Sequence, residues 1–282
     1  TCQSSSGLTF DAYPDDHDND GIIDPIDSDD NNDGTTDADM DSDGLIDISS
    51  LEELNAIRFA LDGSGQVMTK ESLPDTSGCP TFILRGNVQQ RCIGYELISD
   101  LDFDTNSDGQ IDEQDTYWND GEGWEPIGSY SSRAFTADFN GNGHKIRNLY
   151  IDRTMNAAGL FGYIEGTSRQ PVKVTQIVLN GPITSITGNT NSGVLAGRIN
   201  YAEVDRVFVS GIVSSQWDAG GLAGKIRGST VSNVFSSVSN TAGRTQGGLI
   251  GSLSASTLFN SLSTGFVASG GGLLRHSSFN NN

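Results

Sequence analysis

From Thr1 to Ile57 the sequence contains no lysine and no arginine; the first basic residue is Arg58. The same stretch holds fifteen aspartates together with Glu52 and Glu53, so it carries −17 of the chain's formal −21. A segment without cations cannot bind nucleic acid or an anionic membrane surface, because both would repel it. Its natural partners are cations, unless it is a disordered acidic tail. No apolar run approaches the ~20 residues that span a bilayer, so no transmembrane segment is expected. No signal-peptide pattern is present either, and the chain reads as a mature form. Apolar residues are few, at 35%, while glycines number 35, which points to many short strands joined by turns rather than to helices. A length of 282 residues allows one large domain with an appended module, or two domains.

Cysteine is scarce. Cys79 and Cys92 flank CPTFILRGNVQQRC, which reads as two small strands and a turn, a geometry that permits either a disulfide or two reduced thiols. Cys2 is left as a lipid-attachment site, an intermolecular disulfide partner or an unpaired thiol. Histidine is equally rare: His17 reads as a solvated side chain, His144 as structural, and His276 lies near the last residue. No Ser-His-Asp or Cys-His grouping is suggested.

What the chain has instead is a repeated grammar of aspartates. Four segments fit a twelve-residue calcium loop with oxygen ligands at positions 1, 3, 5, 7 (a backbone carbonyl), 9 and 12, and glycine at 6 for the sharp turn. The first runs through Asp16, Asp18, Asp20, Ile22, Asp24 and Asp27; the second through Asp29, Asn31, Asp33, Thr35 and Asp37. The third uses Asp39, Asp41, Asp43, Leu45 and Asp47, and the fourth Asp104, Asn106, Asp108, Gln110, Asp112 and Asp115. The second and third have Met40 and Ser50 where the last ligand belongs. Carboxylates packed so closely repel one another, by roughly 3 kcal/mol at 5 Å and an effective dielectric of 20, so folding each loop calls for a divalent ion. Calcium suits an all-oxygen set in loose geometry better than Mg²⁺ or Zn²⁺ does.

Residues 1–48 thus form an acidic calcium-binding segment, 49–92 hold a helix and the cysteine loop, and 93–282 are strand and turn with the fourth loop inserted at 104–115. Ser50 and Glu53 make a capping box, and Leu51, Leu54, Ile57 and Leu61 share one face, as expected of a helix covering the end of a core. Beyond it the sequence repeats. Leu160, Leu195, Leu222, Leu249 and Leu273 recur within Gly-Leu-x-Gly-like segments. Tyr150, Val178, Phe208, Phe235 and Leu262 form a second apolar column, stepping by 27 to 30 residues. Two residues before each stands a polar position (Asn148, Gln176, Arg206, Asn233, Asn260), expected at a corner, and two before that an aliphatic one (Ile146, Val174, Val204, Val231, Leu258). A period in the high twenties with glycine corners predicts a stacked β-coil whose apolar columns build a continuous core, with a β-propeller as second choice.

These columns resemble the GLUG repeat family, and the likeness extends upstream through Tyr95–Phe103, Tyr117-Trp118, Gly123–Gly128 and Phe139–Leu149. The resemblance implies an all-β right-handed parallel β-helix (β-solenoid) on a bacterial extracellular protein, with roles that lean toward surface attachment. Residues 16–47 also resemble thrombospondin type 3 loops, in which neighbouring sites share aspartates; Asp27, Asp29, Asp30 and Asp39 are placed for that.

The expected function is non-enzymatic: an extracellular, calcium-loaded structural or adhesive protein that binds copies of itself end to end, surface glycans or host proteins. The tail from Gly270 to Asn282 offers no helix or charged plug, leaving an end for its own residues, another copy or a partner to cover. The rival is a carbohydrate-binding or polysaccharide-degrading β-helix. Asp152, Glu203, Asp205 and Asp218 are scattered over the repeats, however, and Trp118 and Trp124 read as packing residues rather than sugar platforms.

Overall fold

The structure is a computed structural model and describes residues 2–3, 9–10, 37–84 and 87–278. The first loop, most of the second (Asp29 to Thr35) and His17 lie outside the described residues.

Strands dominate, and they pair mostly in parallel. Leu45–Ile48, Gly94–Leu97, Asp138–Asn140, Val172–Thr175, Ala202–Asp205, Thr230–Ser232 and Thr257–Phe259 make a seven-stranded parallel sheet. Its register aligns Ile46, Tyr95, Phe139, Val174, Val204, Val231 and Leu258, and the first six are fully buried. Strand side chains alternate between faces. The neighbouring column of Asp47, Glu96, Asn140, Thr175, Asp205 and Ser232 therefore lies on the opposite face, away from that core.

Two five-stranded parallel sheets flank the Gly-Leu-x-Gly segments. Between them Leu160, Leu195, Leu222 and Leu249 are completely buried. The Leu195 N–H donates to the Leu222 carbonyl, Leu222 to Leu249, and Leu249 to Leu273, at 3.1, 2.8 and 3.0 Å. Glycine is required beside these leucines: a Cβ on Gly193 would meet the Ala223 backbone at 2.4 Å.

The second column is placed differently from the sequence reading. Val178, Phe208 and Phe235 do pair in register, followed by Leu262, but they sit on the outer face, where Phe208 and Phe235 stack at 5.4 Å. The core is filled from there by the residues on either side: Ile177, Leu179, Val207, Val209 and Val234. Because strand periodicity is two, a column displaced by one residue turns outward. The first members of the columns also shift. Val174 pairs with Phe139 rather than Ile146, Val178 with Lys145, and Tyr150 with Ser185 in the next strand along. The polar column is indeed at corners: Gln176, Arg206, Asn233 and Asn260 adopt φ of 55°, 53°, 55° and 48°. Asn148 is left-handed as well, at 58°, but occupies the following corner, between the Lys145–Arg147 and Tyr150–Asp152 strands.

The helix spans Leu51–Ala56 with its capping box formed: the Glu53 N–H donates to Ser50 Oγ at 3.2 Å, and the Ser50 N–H to the Glu53 carboxylate at 3.0 Å. Leu54 and Ile57 are buried, with Leu51 and Leu61 packed against the same core. Cys79 and Cys92 are joined as a disulfide at the base of an antiparallel hairpin of Thr81–Leu84 and Asn87–Gln90.

Candidate metal centre

The third and fourth acidic loops share one backbone design. In the third, the N–H groups of Asp43 and Gly44 donate to the two oxygens of Asp39 at 3.2 and 2.8 Å. The Asp43 N–H also reaches Asp41 Oδ1 at 3.2 Å, and the Leu45 N–H donates to Asp43 Oδ1 at 2.8 Å. In the fourth, Asp108 and Gly109 donate to Asp104 at 3.1 and 3.0 Å, Asp108 to Asn106 at 3.0 Å, and Gln110 to Asp108 at 2.9 Å. Both loops turn through left-handed residues at positions 4 and 6: Ser42 and Ser107 (φ 54° and 60°), then Gly44 and Gly109 (96° and 84°). Aspartate at positions 1, 3 and 5 can satisfy these amides and still has lone pairs to spare, which is why that residue type recurs.

The loops close differently. In the fourth, Asp115 at position 12 accepts from the Thr105 N–H and hydroxyl at 2.6 and 3.0 Å and from the Asp112 N–H at 3.0 Å. Backbone and hydroxyl hydrogen bonds hold its pKa below the ordinary carboxylate range despite desolvation. Asp112 itself caps the Gln114 N–H at 2.9 Å. The third loop has Ser50, the helix N-cap, in place of a carboxylate at position 12, and Asp47 at position 9 performs the closure, accepting from the Met40 N–H at 2.8 Å. Asp37 is buried beside this loop.

The third loop is the more charged. Oxygens of Asp39, Asp41 and Asp43 lie within 4.8 Å of one another, a spacing at which two charges repel by roughly 3 kcal/mol at an effective dielectric of 20. Desolvation, with repulsion from Asp41, Asp43 and Asp47, raises Asp39 to about 7 even though the Gly44 amide opposes it. Desolvation likewise raises Asp47 to about 6 and Glu96, on the adjacent strand, to about 7. Among the described ion pairs none involves these carboxylates. Cys79 and Cys92 also approach Asp39, but as disulfide sulfurs they are no ligands. Hard oxygen donors without nitrogen or thiolate can hold a hard divalent cation, and Asp47 Oδ1, buried without a hydrogen-bond partner, is an oxygen that such an ion would satisfy.

The fourth loop rests on aromatic rings. Phe103, Tyr117 and Trp124 meet edge to face with centroids 5.2 to 5.9 Å apart. Trp124 is fully buried, its indole N–H donating to the Leu160 carbonyl at 3.1 Å, and Trp118 stacks on Tyr150 at 5.7 Å. Sequence reasoning missed Glu96, whose signal is its pairing with Asp47, invisible until the register is known. Asp152, Glu203, Asp205 and Asp218 lie in three different sheets, and Asp205 is engaged by Ser232 and Asn233 at 2.7 and 2.6 Å. His144 faces Asp100 at 3.4 Å.

No protein-family model matches the chain. Over 121 residues (43% of the chain) it is 33% identical to halomucin of Haloquadratum walsbyi, but this is 1% of that protein's length. Over 117 residues (41%) it is 33% identical to a protein of Evansella cellulosilytica, provisionally described as a Gly-rich membrane protein, covering 12% of it. A crystal structure from Bacteroides ovatus, provisionally described as an immunoglobulin A1 protease, aligns with 86% of this chain and 64% of its own, at 15% identity and a TM-score of 0.45. The chain therefore spans a small fraction of the curated relatives it matches.

Proposed function

We propose that the chain is an extracellular, calcium-stabilised structural or adhesive segment, built as a right-handed parallel β-helix and carrying no catalytic centre. The observation that carries this reading is the shared hydrogen-bond scheme of the loops beginning at Asp39 and Asp104, two segments far apart in sequence whose first carboxylate accepts from the backbone N–H groups four and five residues on. The stacking of strands in register supports the β-helix reading, since each repeat buries its apolar face only against its neighbours. The buried disulfide and the names of the two relatives support an extracellular or cell-surface address. On the last repeats Phe259, Leu262 and Phe266 are 47%, 55% and 66% exposed, which supports contact with another copy or with further chain.

Calcium titration of the chelator-stripped protein by calorimetry tests the reading; binding in the micromolar to millimolar range is expected, and absence of any heat overturns it. Sedimentation with and without EDTA reads the assembly, and a polysaccharide panel assayed for reducing ends and unsaturated products should stay blank.

A further inference from the structure

We infer that Glu96, which belongs to the next strand of the sheet rather than to the acidic loop, is a ligand of the third loop's cation and fills the place that Ser50 leaves vacant in the twelve-residue pattern. The inference rests on the reading of that loop as a calcium site and names the residue that completes it.

Asp47 and Glu96 are register partners on adjacent parallel strands, and both lie on the face opposite Ile46 and Tyr95. Asp47 is 7% exposed; its Oδ2 accepts from the Met40 N–H, but its Oδ1 is buried with no hydrogen-bond partner. The carboxyl set beside the Asp47 side chain on the neighbouring strand is that of Glu96, itself 3% exposed. Two ionised carboxylates can only accept, so two of them buried face to face need a proton or a cation between them. The Asp41 and Asp43 carboxylates bear on the same two groups, and among the described ion pairs no lysine or arginine answers them.

Glu96 is also held in place from behind. Asn142 Nδ2 donates to Oε2 at 2.6 Å and Asn140 Nδ2 to the same oxygen at 3.5 Å, the kind of support that orients a metal-ligating carboxylate. Asp39, Asp41 and Asp43, whose oxygens lie within 4.8 Å of one another, would be joined by the Leu45 carbonyl, Asp47 and Glu96 as the loop closes on the ion, making up the six or more oxygens that calcium takes. A cation bound so would tie the acidic segment to the first turns of the sheet, across residues 39 to 96.

The test is a two-dimensional NMR titration of the full, chelator-stripped chain with Ca²⁺, following the Gly44 and Gly109 amides, one in each described loop. Glu96→Gln should raise the calcium concentration at the Gly44 midpoint by about tenfold or more, the scale of losing even a supporting partner of a metal ligand, and leave Gly109 unmoved. Chelated Glu96→Gln should also melt no lower than chelated wild type, because it removes a buried charge; a residue that merely hydrogen-bonds Asn142 would melt lower in both states. Should Glu96→Gln not fold, Glu96→Asp, which keeps the charge but withdraws it by one methylene, should weaken the Gly44 response in the same direction. A Gly44 midpoint equal in wild type and variant overturns the inference alone. A wild-type Gly44 amide that ignores calcium overturns it together with the calcium reading.

Discussion

The Asp47 carboxylate closes the third loop by accepting the Met40 N–H at 2.8 Å, and in the fourth loop the same task, accepting from the second residue of the loop, falls to Asp115, which takes the Thr105 N–H at 2.6 Å. One closure comes from position 9 and the other from position 12, so two loops with different sequence endings reach one backbone shape.

Removing Asp115 should therefore undo the fourth loop while sparing the third. Asp115→Ala leaves the Thr105 N–H, the Thr105 hydroxyl and the Asp112 N–H without their acceptor. A cost of about 1–3 kcal/mol in urea unfolding is expected, the price of an orphaned donor group. Calcium response at Gly109 should be lost and that at Gly44 retained.

The calcium dependence of stability should itself depend on pH. In the metal-free chain Asp39, Asp47 and Glu96 stand at about 7, 6 and 7, raised chiefly by desolvation above the ordinary value near 4. Groups raised in the folded state contribute most below their unfolded pKa and lose that contribution as pH rises through the folded value. Calcium removes the penalty by neutralising the ionised form. The difference in melting temperature between calcium and EDTA should thus grow between pH 5 and pH 8, and differential scanning fluorimetry at several pH values checks it.

The disulfide should matter to both stability and metal binding. Cys79 and Cys92 are separated by 13 residues, and a loop of that size is worth about 3 kcal/mol. Ser77, two residues before the disulfide, also steadies the third loop: the Ala38 and Asp39 N–H groups donate to Ser77 Oγ and the Ser77 carbonyl at 2.9 and 3.2 Å. A Cys79→Ser/Cys92→Ser protein should unfold at lower urea and bind calcium at the third loop more weakly than at the fourth.

Core and surface columns should respond differently to truncation. Leu222 is wholly buried between sheets, and Leu222→Ala is expected to cost about 2–5 kcal/mol. Phe235 lies outside, with one face on Phe208, and Phe235→Ala should cost about 1 kcal/mol. Equal losses in urea unfolding would contradict the observed register.

Asp-x-Asp-x-Asp-Gly was legible in the sequence because its hydrogen bonds join residues two to five apart, and such contacts form wherever the chain carries those side chains. The capping box at Ser50 and Glu53 and the Leu160, Leu195, Leu222 and Leu249 column were readable for similar reasons: the first is local, and the second is marked by the glycines that close packing demands. The sequence by itself could not say which side of a strand Phe208 and Phe235 would face. One residue of register reverses that answer, and the large apolar ring looks the same in either position. Nor could it join Asp47 to Glu96, because 48 residues, a helix and a disulfide hairpin intervene. Only the parallel pairing of Leu45–Ile48 with Gly94–Leu97 places those two acids side by side, and the burial that follows makes their charges costly to leave uncompensated.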